Sequence, residues 1–457
     1  MTGALPGAEI PAAGPIATET VKAQWHWRLL LWTLGLAPAF SSIFWPRQAF
    51  EVPPPWDAWN RLLLADDMWL ALLFGRGCTA AVLLIEFWVV WHCLPRQGMD
   101  RRGYLLWLFG LGCSASFFLS AAFGTVPWFP IGIFGLPLML CAVFWLPTPT
   151  MSWLSREVCR VCLFHIIASL ALAVPAFGWI VESPYDQGYL PWLTFRLHGL
   201  AVSQGGLGLF VIVFLAVRIL ADDRPWTRRT YGSAALALMV ALLAQSKISW
   251  FFILVLLGFA GIRRWADRSG GLASPTVSAI LLWSLGGACC LLWLLSPLAA
   301  SGLWADGNER LTTVTGRTEV WEICVELWRQ SPFFGYGNDL WSPSMAALYE
   351  DRIGWLPTHS HNQAFQSLAQ TGFVGCAFFL LYSCAFLRYG LKASRATHGC
   401  SLFLAAFLLA RCFTESWLGT VVNNGMLFFH GASLAIIVVG LRQDPQRVDP
   451  TLAMPPA

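Results

Sequence analysis

Apolar stretches of about 20 residues recur along the whole chain, separated mostly by short polar turns, and no soluble core would hold them. A segment of that length and polarity spans a bilayer as a helix, because every backbone polar group must be satisfied within the hydrocarbon. About twelve segments qualify, at roughly 29–45, 68–94, 104–123, 126–146, 159–181, 197–220, 230–245, 248–262, 276–298, 362–387, 401–421 and 426–441. Charged residues make up only 12% of the chain, against about 25% in soluble domains. The expected fold is therefore all-α: a polytopic membrane protein of about 12 transmembrane helices, nine over 29–298 and three over 362–441. One long loop, 299–361, interrupts them.

Residues 1–28 and 442–457 read as disordered cytoplasmic tails. The first is rich in Ala, Pro and Gly and lacks the apolar core of a signal peptide. Tryptophans near expected helix ends (Trp25, Trp27, Trp32, Trp128, Trp145, Trp179, Trp192) suggest interfacial belts.

The distribution of cations orients the bundle. With the N-terminus inside, the inner loops collect Arg96, Arg101, Arg102, Arg156, Arg160, Arg218, Arg224, Arg228, Arg229, Arg263, Arg264 and Arg268. The short outer turns hold only Arg47, Arg61, Arg196 and Lys247. Positive residues stay inside, so both termini are expected in the cytoplasm and the 299–361 loop outside. Within that loop, 317–330 has an amphipathic period: Val320, Trp321, Cys324, Val325 and Trp328 oppose Glu319, Glu322, Glu326 and Arg329. It reads as a helix lying over the bilayer surface.

Several classes are excluded. The basic residues are scattered among short loops and form no nucleic-acid surface. There is no phosphate-binding glycine loop and no HExxH. The pairs Asp66-Asp67 and Asp222-Asp223 are adjacent rather than alternating carboxylates. Only Cys324 lies in the long loop, so no disulfide framework is expected there. Cys159 and Cys162 form one CxxC with no second pair, which reads as helix packing rather than a metal site. Neither a metal nor a cofactor is expected.

Chemistry concentrates where the long loop ends. Thr358-His359-Ser360-His361-Asn362-Gln363 places two histidines at the mouth of a membrane helix. Ser360 with Gln363 three residues on has the form of a capping box, which would start the helix just after Ser360. His361 would then sit in the first turn, where the helix dipole favours a neutral ring able to accept a proton. Arg196, expected at the start of the sixth span, and Lys247, in a very short turn between the seventh and eighth, lie at the same outer depth. Two cations and a neutral base at one depth suit a lipid diphosphate headgroup. Each has a bland rival: a snorkelling anchor for the cations, a backbone-satisfying ring for the histidine. His359, Arg317 and Arg352 are further candidates for substrate contact, with solvated loop charge as the alternative. Arg411 and Glu415, four apart in the expected eleventh span, form a candidate intramembrane pair, either functional or structural.

Taken in order, these segments resemble the O-antigen ligase and polysaccharide polymerase superfamily of bacterial membrane proteins. Phe195-Arg196 with Gly199 and Gly205-Gly206-Leu207-Gly208 is similar to its Arg-x-x-Gly…Asn-x-Leu-Gly segment, and Gln245-Ser246-Lys247 to its Ser-Arg or Ser-Lys turn. Gly316-Arg317-Thr318-Glu319-Val320-Trp321 with Ser331-Pro332-Phe333-Phe334-Gly335-Tyr336-Gly337 resembles the helix and Pro-x-x-Gly-x-Gly turn of its periplasmic loop. His359-Ser360-His361-Asn362 with Gly372 and Gly375 resembles its His-Asn…Gly-x-x-Gly motif. The run Val202-Ser203-Gln204 departs from the family's His-Pro-Asn or His-Lys-Asn.

The resemblance implies transfer of a glycan from undecaprenyl diphosphate to an acceptor hydroxyl, without a required metal, at the periplasmic face of the bacterial inner membrane. Arg196 and Lys247 would hold the diphosphate, His361 would be the base, and Arg317 a phosphate or sugar contact. The motifs look more like exopolysaccharide repeat-unit polymerases than ligases acting on lipid A-core. Expected partners are the undecaprenyl-diphosphate-linked oligosaccharide and membrane lipids, with a chain-length regulator and a flippase as further candidates. A transporter of lipid-linked oligosaccharide is the rival from a different class, supported by Arg76, Glu86, Arg411 and Glu415 inside spans. Transporters tend to show internal repeats and broken helices near the midplane, and the sequence shows neither.

Overall fold

The computed structural model describes residues 15–44, 66–93, 102–176, 180–183, 190, 192–201, 204–222, 224–268, 315–353, 357–416, 418 and 425–443. They form helices α1 (Pro15–Phe44), α2 (Asp66–Cys93), α3 (Tyr104–Phe123), α4 (Gly135–Trp145), α5 (Met151–Leu172), α6 (Gln204–Ala216), α7 (Arg228–Leu243) and α8 (Lys247–Arg268). After the undescribed 269–314 come α9 (Thr315–Gln330), short α10 (Pro343–Ala347) and α11 (Glu350–Ile353), then α12 (Gln363–Ala393), α13 (Cys400–Arg411) and α14 (Met426–Gln443). Two-residue strands β1 (Val181–Glu182) and β2 (Arg196–Leu197) pair antiparallel.

Five helices among the described residues are long and apolar enough to cross a membrane, within 76–93, 104–123, 248–265, 363–393 and 426–443. The chain is thus a multi-pass, mostly helical membrane protein. The expected count of twelve is not reached among the described residues, and the expected span 276–298 lies outside them. Three expected boundaries also shift. Residues 15–28, expected as tail, belong to α1. The sixth span starts at Gln204 rather than 197, because Arg196 and Leu197 pair with β1. The eleventh ends at Arg411, so Glu415 lies beyond the helix.

One large apolar core binds the helices, with α12 packed along α3 and α6 packed among α5, α7 and α8. Trp27, expected at an interface, is fully buried and donates from its indole to Pro147 O at 2.7 Å; the carbonyl satisfies the one polar atom of an otherwise apolar ring. Several buried charges are matched, although Glu86 in α2 is completely buried with no hydrogen-bond partner among the described residues on either carboxylate oxygen. Glu157 accepts from Arg28 at 2.9 Å and Arg160 at 2.5 Å, and Asp222 joins Arg218 at 2.9 Å and Arg224 at 2.5 Å. Cys159 and Cys162 are free and buried, as packing residues are.

The amphipathic segment is helical, but its apolar face does not stay free to rest on lipid. Val320, Ile323, Cys324 and Leu327 bury against Leu340, Trp341, Met345, Ile353 and Ala369, forming a second, smaller core over the start of α12. The glycine turn that follows docks onto α12 where that helix is interrupted. Gly372 has φ 65 inside α12, which frees carbonyls and amides around it. Tyr336 N donates to Ala369 O at 2.7 Å and Gly337 N to Gln370 O at 3.3 Å; Phe373 N returns a bond to Pro332 O at 2.8 Å and Val374 N to Phe333 O at 3.2 Å. Gly335 (φ 77) approaches the same break, and a Cβ there would fall 2.5 Å from the Gln370 carbonyl carbon. The Pro-x-x-Gly-x-Gly turn and Gly372 are thus two halves of one joint.

Candidate functional site

The loop before α12 is fixed by a buried polar chain. Asn338 donates to Phe117 O at 2.9 Å and accepts from Gln370 at 3.2 Å; Gln370 accepts from Gln366 at 3.1 Å; Gln366 accepts from the Ser360 amide at 2.9 Å and hydroxyl at 2.7 Å. Trp341 donates its indole N–H to Ser360 Oγ at 2.8 Å and Trp321 donates to Ser360 O at 2.9 Å. Ser360 is completely buried by these contacts.

The expected capping box is therefore not formed. Asn362 caps α12, accepting from Ala364 N at 2.9 Å and Phe365 N at 3.4 Å, while Gln363 donates to Leu418 O at 3.1 Å. Ser360 is taken instead by the Gln366 and Trp341 contacts, which outweigh a capping gain of about 1 kcal/mol. His361 consequently lies outside the helix, with φ 48. That left-handed conformation is costly for a residue with a side chain and is enriched at active sites.

Holding Ser360 inside the protein leaves its two neighbours projecting together. The His359 and His361 rings stand 4.0 Å apart, centroid to centroid. His359 Nε2 meets Glu415 Oε2 at 2.6 Å, and His361 Nδ1 lies 4.0 Å from the same oxygen. Buried Arg411 approaches the other Glu415 oxygen at 3.6 Å, and Arg317 on α9 is near enough for its charge to act on His361. His359 Nδ1 faces the hydroxyl of exposed Thr358 at 3.0 Å, a place where another hydroxyl can sit.

Electrostatics set the protonation states. Burial, with the neighbouring His359, Arg317 and Arg411, pushes His361 down from 6.5 to about 3, against the opposing pull of Glu415. Burial alone would raise Glu415, but the His359 hydrogen bond and the adjacent cationic groups win and hold it well below the usual carboxylate range. The site thus pairs a neutral His361 with an ionised Glu415.

His359, His361 and Glu415 place donor atoms within 4.8 Å of one another, a set with metal-ligand character. The Arg411 and Arg317 charges beside it already balance the carboxylate and disfavour a further cation.

The other candidates are placed as follows. Arg196 lies in a second group. The strand register sets Glu182 opposite it, the two meet at 2.5 Å, and His198 reaches the same carboxylate at 2.7 Å. Burial pushes Glu182 up, but His198 and Arg196 prevail and keep it low. Gly199, at φ 64, lets the chain turn onto Ser169, whose hydroxyl accepts from Leu200 N at 2.9 Å. Lys247 opens α8 and its side chain is outside the described residues. Gln245 beside it donates to Phe195 O at 2.7 Å and Leu193 O at 3.2 Å, so the Ser-Lys turn adjoins the Arg196 strand. The Arg352 guanidinium is held by Glu322 at 3.0 Å and Glu326 at 2.9 Å on α9.

Glu415 proves central, although the sequence offered it only as half of a pair with Arg411. Gln366, Gln370 and Asn338 gave no signal beyond being polar within or beside apolar stretches.

Fold and site define a multi-pass, mostly helical membrane protein with a histidine–carboxylate cluster where α12 begins. Residues 232–380 match the O-antigen ligase family (Wzy_C), and that match supports a place in the O-antigen ligase and polymerase superfamily, whose members act on lipid-linked polysaccharide. Over 346 residues the chain is 25% identical to the exopolysaccharide production protein ExoQ of Rhizobium meliloti (strain 1021), covering 66% of this chain and 77% of that relative. The family match includes His359 and His361 but stops before Arg411 and Glu415.

Proposed function

We propose that this protein is a metal-independent membrane glycosyltransferase that moves a glycan from undecaprenyl diphosphate to an acceptor sugar hydroxyl, polymerising exopolysaccharide or O-antigen repeat units. The observation that carries the reading is the convergence of His361, His359 and Glu415 with Arg411 and Arg317. The cation distribution supports both termini in the cytoplasm of a bacterial inner membrane and this cluster on the periplasmic side.

The acceptor hydroxyl attacks the anomeric carbon while the diphosphate leaves from the opposite face, with inversion. His361 takes the hydroxyl proton. An arriving diphosphate offsets Arg317 and Arg411 and raises the proton affinity of the ring toward the working range. Glu415 lies 4.0 Å from His361 and stabilises the imidazolium as it forms. Charge grows on the departing diphosphate, and Arg196, Lys247 and Arg317 favour the transition state over the ground state. Arg196 is kept oriented by Glu182 until phosphate oxygens compete for it.

The acid limb of the rate profile tests the base. A base with its free-enzyme value near 3 stays neutral through the working range, so kcat/KM is expected to stay flat from about pH 8 to about pH 5. Arg317→Gln removes a cation beside the ring, so the limb is expected to move upward. A wild-type limb that His361→Gln leaves in place defeats the assignment. The same shift affects stability with a definite sign. Unfolded His361 takes up a proton near 6.5 and the folded ring resists until about 3, so its contribution falls as pH drops through that window and is unchanged above it.

A ligase acting on lipid A-core is the second reading, favoured by the description of the matched family, as the relative's name favours polymerisation. Lipid-linked intermediates in a deletion strain separate the two. Single repeat units on the carrier mean polymerase, long chains still on the carrier mean ligase, and an unchanged lipid pool sinks both. Reconstituted protein that moves labelled lipid-linked oligosaccharide across vesicles without elongating it would mean a transporter.

A further inference from the structure

Beside the histidine loop, the solvent side of α9 and the start of α12 border an open groove of about 410 Å³ lined by Thr318, Trp321, Glu322, Glu326, Arg329 and Phe365. Its size falls in the roughly 300–1,000 Å³ range of small-ligand sites. We infer that this groove binds a neutral sugar unit of the acceptor glycan, a step that rests on the glycosyl-transfer reading above.

Three features carry it. Trp321 and Phe365 stack with centroids 5.2 Å apart and planes 6° from parallel, a rigid aromatic wall. Sugar rings present apolar C–H faces to such walls, and aromatic side chains supply large contact area at low entropy cost. Glu322 and Glu326 are fixed on the same wall by Arg352, with their carboxylates 64% and 47% exposed. Both Glu326 oxygens and Glu322 Oε2 are taken by the guanidinium, which leaves Glu322 Oε1 to accept a hydrogen bond from a sugar hydroxyl; Arg352 and Arg329 balance the two carboxylates, which suits an uncharged sugar. Finally, the indole N–H of Trp321 is bonded to Ser360 O, between the two histidines. A sugar against Trp321 therefore sits one residue from His361, where an acceptor hydroxyl has to arrive. A bare interfacial tryptophan would explain the indole but not the carboxylates anchored beside it.

The test uses the full chain in nanodiscs and lipid-free oligosaccharides cut from the host's own exopolysaccharide, read by saturation-transfer NMR and titrated for affinity. Wild type is expected to saturate the sugar C–H protons. Trp321→Ala is expected to weaken binding roughly tenfold, as loss of an aromatic anchor does. The Glu322→Gln, Glu326→Gln double variant is expected to weaken it by a smaller factor, and Trp321→Phe to restore most of it. His361→Gln is expected to bind as wild type does. The inference is overturned if wild type gives no transfer, or if Trp321→Ala and wild type bind alike. The two readings fail separately: a fully active His361→Gln whose groove still binds sugar removes the transfer mechanism and keeps the groove. An inactive His361→Gln with no sugar bound by wild type does the reverse.

Discussion

His361→Gln is expected to lower turnover by about 10²–10⁴-fold, the usual contribution of a positioned general base, while leaving the protein folded. Glutamine fills much of the imidazole volume and can donate and accept hydrogen bonds, but it cannot take the acceptor's proton. Residual transfer would come from the cations that stabilise the leaving diphosphate. His359→Gln should cost less if His361 is the acceptor of the proton, because His359 acts through Glu415 at 2.6 Å. Glu415→Gln should lower kcat more than it raises KM, since the carboxylate matters most when the imidazolium forms. The measurement is polymer yield and length in a complemented deletion strain, with single-turnover rates on purified protein. Unchanged yield and length in His361→Gln would remove the base from the mechanism.

The second large effect is structural. Gly372→Val should abolish accumulation of the folded protein, or lower its thermal midpoint by many degrees. The residue sits at φ 65, and a Cβ there would meet the Phe333 carbonyl and lie 2.6 Å from Phe334 N. Backbone on both sides cannot move aside without breaking the joint between the glycine turn and α12. A β-branched residue in that conformation costs about 1–3 kcal/mol, and the four backbone bonds of the joint are each worth about 0.5–1.5 kcal/mol. Their combined loss takes a large part of the 5–15 kcal/mol typical of a folded domain. Gly258→Ala is the control, because nothing lies within 4 Å of its added Cβ and alanine suits a helix interior. Equal stability of Gly372→Val and wild type would show that the joint does not hold the loop.

Much of the architecture was legible before any coordinates. Apolar segments at 104–123, 248–262, 362–387 and 426–441 became helices because bilayer length and polarity are properties of a local stretch. The period of 317–330 gave the α9 helix for the same reason. What rested on a choice between local partners went astray. Ser360 had the form of a cap, yet Trp341 and Gln366 drew it inward and Asn362 took its place.

Local chemistry by itself determined that this chain lives in lipid, where many of its helices run, and that a histidine pair stands just ahead of α12. Only the tertiary structure decided that Glu415 stands under those histidines and that Arg411 and Arg317 add their charge beside them. The physical reason is separation: His359 and Glu415 lie 56 positions apart, and no local pattern links one to the other. Their meeting depends on how α12 and α13 pack, with Gln363 N bonded at 2.7 Å to Cys412 O just beyond the end of α13.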